Sequence, residues 1–282
     1  MIVVTGATGN VGRALVERLA AAGLAVRAVS RSPERAALPA GVEVTRLDAD
    51  GLFEGATKLF LHLQGAAGEQ LPGLLERAAG AGVRHVVMLS SGIVGTADED
   101  PEHPIHVWHA QAEQAVRDSG LAWTFLRPNA FATNAFQWTG QIRAGDSVRA
   151  PFPAAAAAPI HEDDIAAVAE RALLDAGDAG DAGHEGVAYR LTGPEATTNA
   201  EQIEAIGRAL GRELTFDEIS VEEAAETMYP DMPRDTVRAI LKSMAEQAFS
   251  TPEITTTVER ITGRPARTFA AWAEDHRDDF GG

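Results

Sequence analysis

The stretch IVVTGATGNVG, Ile2 to Gly12, constrains this chain more than any other. Ile2 to Val4 is β-branched throughout and reads as a buried strand. Gly6, Gly9 and Gly12 follow at a spacing of three, and Ala14, Leu15, Val16 and Leu19 then recur at helical spacing. In a strand, glycine turn and helix of this kind, the glycines let the backbone approach a pyrophosphate. The helix N-terminus offers unpaired N–H groups and the positive end of its dipole. The pattern predicts a dinucleotide site built from Gly6, Thr8, Gly9, Asn10, Val11 and Gly12. The spacing is GxxGxxG rather than GxGxxG, so its meaning comes from the flanking strand and helix.

The next segments repeat the alternation. Ala25 to Val29 reads as a second strand ending in Ser30, Arg31 and Ser32, where a cofactor lacking a 2′-phosphate meets a carboxylate. A cation with two hydroxyls suits a 2′-phosphate instead, which favours NADP over NAD. Val42 to Leu47 and Lys58 to Leu63 are a third and a fourth strand, separated so briefly that the helix between them must shrink to about one turn. Gln70 to Gly80 is a helix with Leu71, Leu74, Leu75 and Ala78 inward, and Pro72 is tolerated in its first turn. Arg84 to Leu89 is a fifth strand running into Ser90, Ser91 and Gly92. A helix ends over Glu113 to Ser119 at Gly120, and Ala122 to Leu126 is a sixth strand.

This order predicts an α/β fold, a doubly wound parallel sheet of the Rossmann kind, with ligands across the carboxyl ends of its strands. Leu63 and Ser90 therefore join the expected cofactor-binding positions. From Asn129 the register loosens, and PFPAAAAAP at 151 to 159 reads as an irregular wall or lid. Asp163 and Asp164 are expected to cap a helix, Ile165 to Leu174. DAGDAGDAGHE at 175 to 185 reads as an exposed linker. Tyr189 to Thr192 returns as a strand, Asn199 caps a helix to Leu210, and Phe216 to Ile219 is a short strand. Helices follow near Val221 to Met228, Arg234 to Phe249, Pro252 to Ile261 and Arg267 to His276. The expected division is 1–135 with 160–195 as the cofactor-binding domain, and 136–159 with 196–282 as a smaller, mostly helical substrate-side region.

Composition narrows the partners. The chain has 282 residues, a net charge of −17 and no cysteine. The charge argues against direct nucleic-acid binding, and the missing cysteine removes disulfides, thiolate metal sites and a cysteine nucleophile. No apolar run approaches a membrane span. With the first strand opening at Ile2, no leader is expected and the chain is placed in the cytoplasm. A homo-oligomer is compatible with all of this.

Several segments together resemble the NmrA-like family, an atypical branch of the short-chain dehydrogenase/reductase superfamily. They are TGATGNVG at 5 to 12, SSG at 90 to 92, SGLAWTFLRPNAF at 119 to 131, PIHEDDIAAVA at 159 to 169, YRLTGPEATTNAEQI at 189 to 203 and TGRPARTFAAWAEDH at 262 to 276. The resemblance implies that Asp48 bonds the adenine amino group and that Pro128, Asn129 and Phe131 line the nicotinamide. The family includes NADPH-dependent quinone and dye reductases and also cofactor-binding regulators without turnover.

The superfamily's usual catalytic set is Ser, Tyr and Lys, with Tyr and Lys four residues apart on one helix. This sequence cannot assemble it: its tyrosines are Tyr189 and Tyr229 and its lysines Lys58 and Lys242. His109 stands where the tyrosine is expected, with Glu113 four residues on. An imidazole of ordinary pKa could donate the proton while Glu113 holds it; equally, His109 is a polar residue at a helix start. Grouping His103, His106 and His109 as a metal site finds no support, because Pro104 breaks the spacing. Ser91 or Ser90 could hydrogen-bond a substrate carbonyl.

These readings converge on an NADPH-dependent oxidoreductase with catalytic candidates His109, Ser91 and Glu113 and no metal. Its expected substrate is a small, apolar, aromatic carbonyl or quinone, from the aromatic residues at Trp108, Phe131, Phe136, Trp138 and Phe152. The alternative is a non-catalytic NADP-binding regulator. A sugar-nucleotide epimerase ranks lower, since that chemistry leans on the absent tyrosine.

Overall fold

A computed structural model describes residues 1–63, 70–95, 101–175, 183–228, 232, 234–247 and 251–281. Tyr229, residues 176–182 of the expected linker and residues 248–249 of an expected helix lie outside these. The chain divides into two compact units. The first comprises Met1–Asn129, Glu162–Leu191 and Thr257–Arg264; the second comprises Ala130–His161, Thr192–Thr256 and Pro265–Gly282.

The first unit is built on a seven-stranded parallel sheet. Its strands are β1 (Ile2–Val4), β2 (Val26–Val29), β3 (Glu43–Thr45), β4 (Lys58–His62), β5 (His85–Leu89), β6 (Ala122–Pro128) and β7 (Val187–Leu191), in the order β7-β6-β5-β4-β1-β2-β3. The order reverses at β1 and β4, the kind of switch point where doubly wound sheets bind ligands. Strands β1, β2 and β5 are buried along their whole length, as expected of a sheet covered on both faces.

Helices α1 (Asn10–Ala21), α2 (Gln70–Gly80), α3 (Pro104–Asp118), α4 (Glu162–Leu174) and α5 (Thr257–Thr262) flank it. Leu71, Leu74, Leu75 and Ala78 turn inward from α2 onto Leu59, Leu61, Val86 and Met88, as their spacing predicts. Helix α4 packs on α1, where Arg18 meets Glu170 at 2.6 Å.

Three local expectations are corrected. The crossover from β3 to β4 contains no helical turn: it is a run of tight turns, Leu52 N–H to Ala49 O, Glu54 N–H to Gly51 O and Ala56 N–H to Phe53 O. Gly51 and Gly55, at φ +72° and +71°, break any helix there, while Leu52 and Phe53 still reach the core. Asp163 and Asp164 lie inside the first turn of α4 rather than capping it, because the helix begins at Glu162. The cap of the helix Asn199–Leu210 is Thr198, in a reciprocal capping box with Glu201.

The second unit has its own core of Trp138, Ile142, Ile203, Ile206, Phe269, Trp272 and Phe280. The segment from 129 to 159 is more regular than expected. A 3-10 stretch Ala132–Trp138, a helix Thr139–Ala144 and a strand Ser147–Ala150 occupy it, anchored by burial of Trp138, Ile142 and Val148. That strand pairs with Thr215–Glu218, and Ala156–Ala157 of the alanine run pairs with Thr197–Thr198. Residues 257–264, expected in the smaller region, belong to the first unit, because α5 packs on α4 and β7. No helix among the described residues is long and apolar enough to cross a membrane.

Candidate active site

Glycine is demanded at two of the three N-terminal positions by the protein itself. Gly6 has φ +62°, and a Cβ there would stand 2.8 Å from the Cβ of His62. A Cβ on Gly12 would stand 2.1 Å from the carbonyl oxygen of Gly6. Gly9 differs: its φ of −81° suits any residue, and a Cβ would meet nothing closer than Gly6 O at 3.4 Å. What its bare backbone faces is a cavity of about 780 Å³.

Gly9 is also the N-cap of α1, and no side chain caps that helix. Thr8, Gly9 and Asn10 are exposed while Val11 and Gly12 are buried, and an uncapped helix start of this kind suits an anion. Thr5 holds the floor of the cavity: its hydroxyl donates to Phe60 O at 3.2 Å and accepts from His62 N–H at 2.7 Å. This tie between β1 and β4 brings His62 to the cavity wall. Burial lowers the His62 pKa. Sequence reasoning missed His62, a lone polar residue closing an apolar strand.

The other end of the cavity is cationic. Arg31, Arg46 and Arg77 all line it, together with Ser30 and Asp48. The Ser30 hydroxyl, buried, accepts the Ser32 N–H at 3.1 Å and so shapes the turn that presents Arg31. Arg46 donates to Arg31 O at 3.1 Å and pairs loosely with Asp48 at 3.6 Å. Arg46 and Arg77 escaped the sequence reading; the proximity of Arg46 to Asp48 at the end of β3 was the available signal. Three arginines on the wall of one cavity, in a chain of net charge −17, suit an anionic ligand. A volume, an uncapped helix end, a glycine kept bare and this cation cluster fit a phosphorylated dinucleotide.

The expected catalytic positions separate. Glu113 does not hold His109. Its carboxylate, with no solvent exposure, accepts Ser90 Oγ at 2.7 Å, Arg127 Nε and Nη2 at 2.8 and 2.6 Å, and Arg117 Nη2 at 2.9 Å. The Ser90 hydroxyl is therefore engaged inside the protein. The hydroxyl of Ser91, half-buried at the carboxyl end of β5, accepts a long 3.4 Å contact from Ile93 N–H among the described residues.

The Nδ1 of His109 is buried with no partner among the described residues, and Trp108 meets its ring edge-on with centroids 4.8 Å apart. Burial drives the imidazole pKa down; Glu113 opposes the shift and His62 adds to it, leaving a value of about 4. His109 is thus a neutral ring at neutral pH rather than the imidazolium donor that an ordinary pKa would supply. His103 caps α3 through Nδ1, which accepts Ile105 N–H at 3.2 Å.

The remaining expected positions are placed as follows. Leu63 is buried in the sheet's core, Pro128 is buried at the end of β6, and Asn129 is exposed and accepts Arg190 Nη1 at 3.2 Å. Phe131 is half-buried in the second unit, where Ala130–Phe131 pairs with Pro159–Ile160. Trp138, expected as a substrate contact, is core. Tyr189 bonds His184 Nδ1 at 2.8 Å and Lys58 reaches the carbonyl of Leu173, so neither forms part of a catalytic pair.

Residues 6–176 match the family model described as NAD(P)H-binding. The chain is 39% identical to the (4-alkanoyl-5-oxo-2,5-dihydrofuran-3-yl)methyl phosphate reductase of Streptomyces griseus subsp. griseus, over 99% of each protein. It is 34% identical to the NAD(P)H azoreductase of Xenophilus azovorans, covering 100% of this chain and 99% of that one. Among solved structures, the NADPH-dependent quinone oxidoreductase of Escherichia coli in complex with NADPH is similar in fold. Its TM-score is 0.76 at 22% identity, over 98% of this chain and 99% of that one. Whole-length similarity to reductases and a cavity suited to the cofactor agree: the chain is an NAD(P)-dependent reductase and belongs to the NAD(P)H-binding, NmrA-like family of atypical short-chain dehydrogenases/reductases.

Proposed function

We propose that the protein reduces a conjugated, electron-poor acceptor of the quinone, azo or enone type with NADPH, the final proton coming from water. The cofactor supplies the hydride; the protein supplies binding, orientation and electrostatics. In this reading the α1 amides and the Gly6–Gly12 turn hold the pyrophosphate. Arg31, Ser32 and Arg46 hold the 2′-phosphate, and Asp48 meets the adenine. Ser91 donates a hydrogen bond to the acceptor, and His109 acts as a neutral wall group.

The observation that carries this reading is the setting of His109, whose Nδ1 is buried with no partner among the described residues and whose ring lies against Trp108. An imidazole with a pKa of about 4 supplies no acid at neutral pH, and the sequence holds no Tyr and Lys four residues apart to replace it. An isolated ketone needs its alkoxide protonated as hydride arrives, so it is poorly served here. A conjugated acceptor spreads the incoming charge over its π-system and takes its proton from solvent afterwards. The named substrates of the relatives, an azo compound, a quinone and a 5-oxo-2,5-dihydrofuran, share this property of conjugation.

The test compares NADPH oxidation with a 1,4-quinone, an azo dye and a saturated aliphatic ketone. The reading requires turnover with at least one of the first two and little with the third. A preference for the ketone would overturn it.

A further inference from the structure

Glu113 has no part in the chemistry above, yet two arms of its hydrogen-bond set, Ser90 and Arg127, lead toward one loop. Ser90, which donates to it at 2.7 Å, begins that loop at the end of β5. Arg127, doubly bonded to it from β6, reaches the loop's far end, where its Nη1 lies 2.5 Å from where a Cβ on Gly95 would be. Gly95 has φ +77°. Its carbonyl also accepts Arg190 Nη2 at 3.4 Å.

Between these anchors the loop is fitted just as closely. Gly92 N–H donates to Pro128 O at 2.7 Å, and a Cβ on Gly92 would fall 1.8 Å from Asn129 Oδ1. Ser91 lies between the anchors. Arg117 completes the set from the next turn of α3, with its guanidinium 5.1 Å from the Trp123 ring centroid and 4.8 Å from that of Phe125.

A buried ion pair is a poor way to gain stability, because desolvation consumes most of the Coulombic gain and apolar replacements commonly do as well. What it does supply is geometry, since a carboxylate with its lone pairs filled by donors from β5, β6 and α3 fixes all three in register. We propose that Glu113 is a positioning residue: through Ser90 and Arg127 it holds the Ser90–Gly95 loop at the height where Ser91 meets the acceptor. This rests on the reductase reading above.

The experiment uses the full-length protein, NADPH and a 1,4-quinone. Ser90→Ala removes one arm to the loop and leaves the ion pair whole. It should lower the melting temperature less than Glu113→Gln does, because one charged hydrogen bond is lost while the ion pair stays, and keep the NADPH dissociation constant within about twofold, while kcat falls about 10- to 100-fold, the scale of an ångström of misplacement. Ser90→Thr, which keeps the hydroxyl, should recover most of that loss. In parallel, Glu113→Gln should lower the melting temperature, and Glu113→Gln combined with Arg127→Gln should regain much of it without regaining kcat.

Unchanged kcat in Ser90→Ala, or kcat that returns with stability in the double variant, would make Glu113 purely structural and overturn the proposal. If the double variant does not fold, the comparison of Ser90→Ala with Ser90→Thr still decides. Absence of quinone turnover in the unmutated protein would overturn the reductase reading itself, a different outcome from turnover that ignores Ser90.

Discussion

Arg127 donates both Nε and Nη2 to the carboxylate of Glu113, at 2.8 and 2.6 Å, where the glutamate has no exposure to water. Burial alone would raise the Glu113 pKa. Hydrogen bonds from Arg127 and Ser90 and the charges of Arg127 and Arg117 outweigh it, so the group titrates below its ordinary 4.5. A depressed folded-state pKa contributes stability that is present above the ordinary value and lost as pH falls through the folded one. Glu113→Leu should cost about 3–5 kcal/mol at neutral pH by urea unfolding, because it leaves guanidinium groups buried without their partner. The difference from the unmutated protein should shrink below about pH 4.5. A gap that does not depend on pH would contradict the ion-pair account.

The three N-terminal glycines should behave differently from one another. Gly12→Ala drives a methyl to 2.1 Å from backbone oxygen, so the fold itself should lose more than about 3 kcal/mol. Gly9→Val should keep its circular dichroism spectrum and lose NADPH binding by at least about tenfold, because in the proposed reading the space it fills is the pyrophosphate's. If Gly9→Val binds NADPH normally by titration, the cofactor does not lie against this turn.

How much of this was legible in the sequence follows from the range of each interaction. The β1 strand, the glycine turn, α1 and α2 were legible because their signals are local: glycines at fixed spacing, and Leu71, Leu74, Leu75 and Ala78 on one face. The Glu113 network was not. Ser90, Glu113 and Arg127 are brought together only by the pairing of β5 with β6 and the return of α3, and the adjacency of His109 and Glu113 on one helix suggested a different partner. The elements between Ala132 and Ala150 were hidden for a related reason: short helices and strands there depend on burying Trp138 and Ile142 rather than on their own periodicity.

Cofactor choice should follow the cation cluster. NADPH should bind more tightly than NADH, and Arg31→Ala should narrow the gap by about tenfold, the lower end for a charged hydrogen bond at an exposed side chain. Arg46→Ala should act in the same direction through the Arg31 carbonyl it supports. Equal affinities for the two cofactors in the unmutated protein would remove the 2′-phosphate from this cluster.

His109 should show no titration in the working range. With its pKa near 4, kcat for a quinone should be flat between about pH 6 and about pH 8, without the limb an ordinary imidazole would give. His109→Gln should change kcat by less than about tenfold, short of the 10²–10⁴ typical of a lost general acid. A limb near the ordinary imidazole value that vanishes in the variant would restore His109 as the proton donor.

The most direct measurement follows NADPH consumption and acceptor reduction together, with a 1,4-quinone and purified protein. The account predicts equal amounts of NADPH oxidised and quinone reduced, at a rate that saturates with quinone and disappears in Gly9→Val. Tight NADPH binding with no oxidation by quinone or azo acceptor would contradict it, and would make this a cofactor-binding regulator instead.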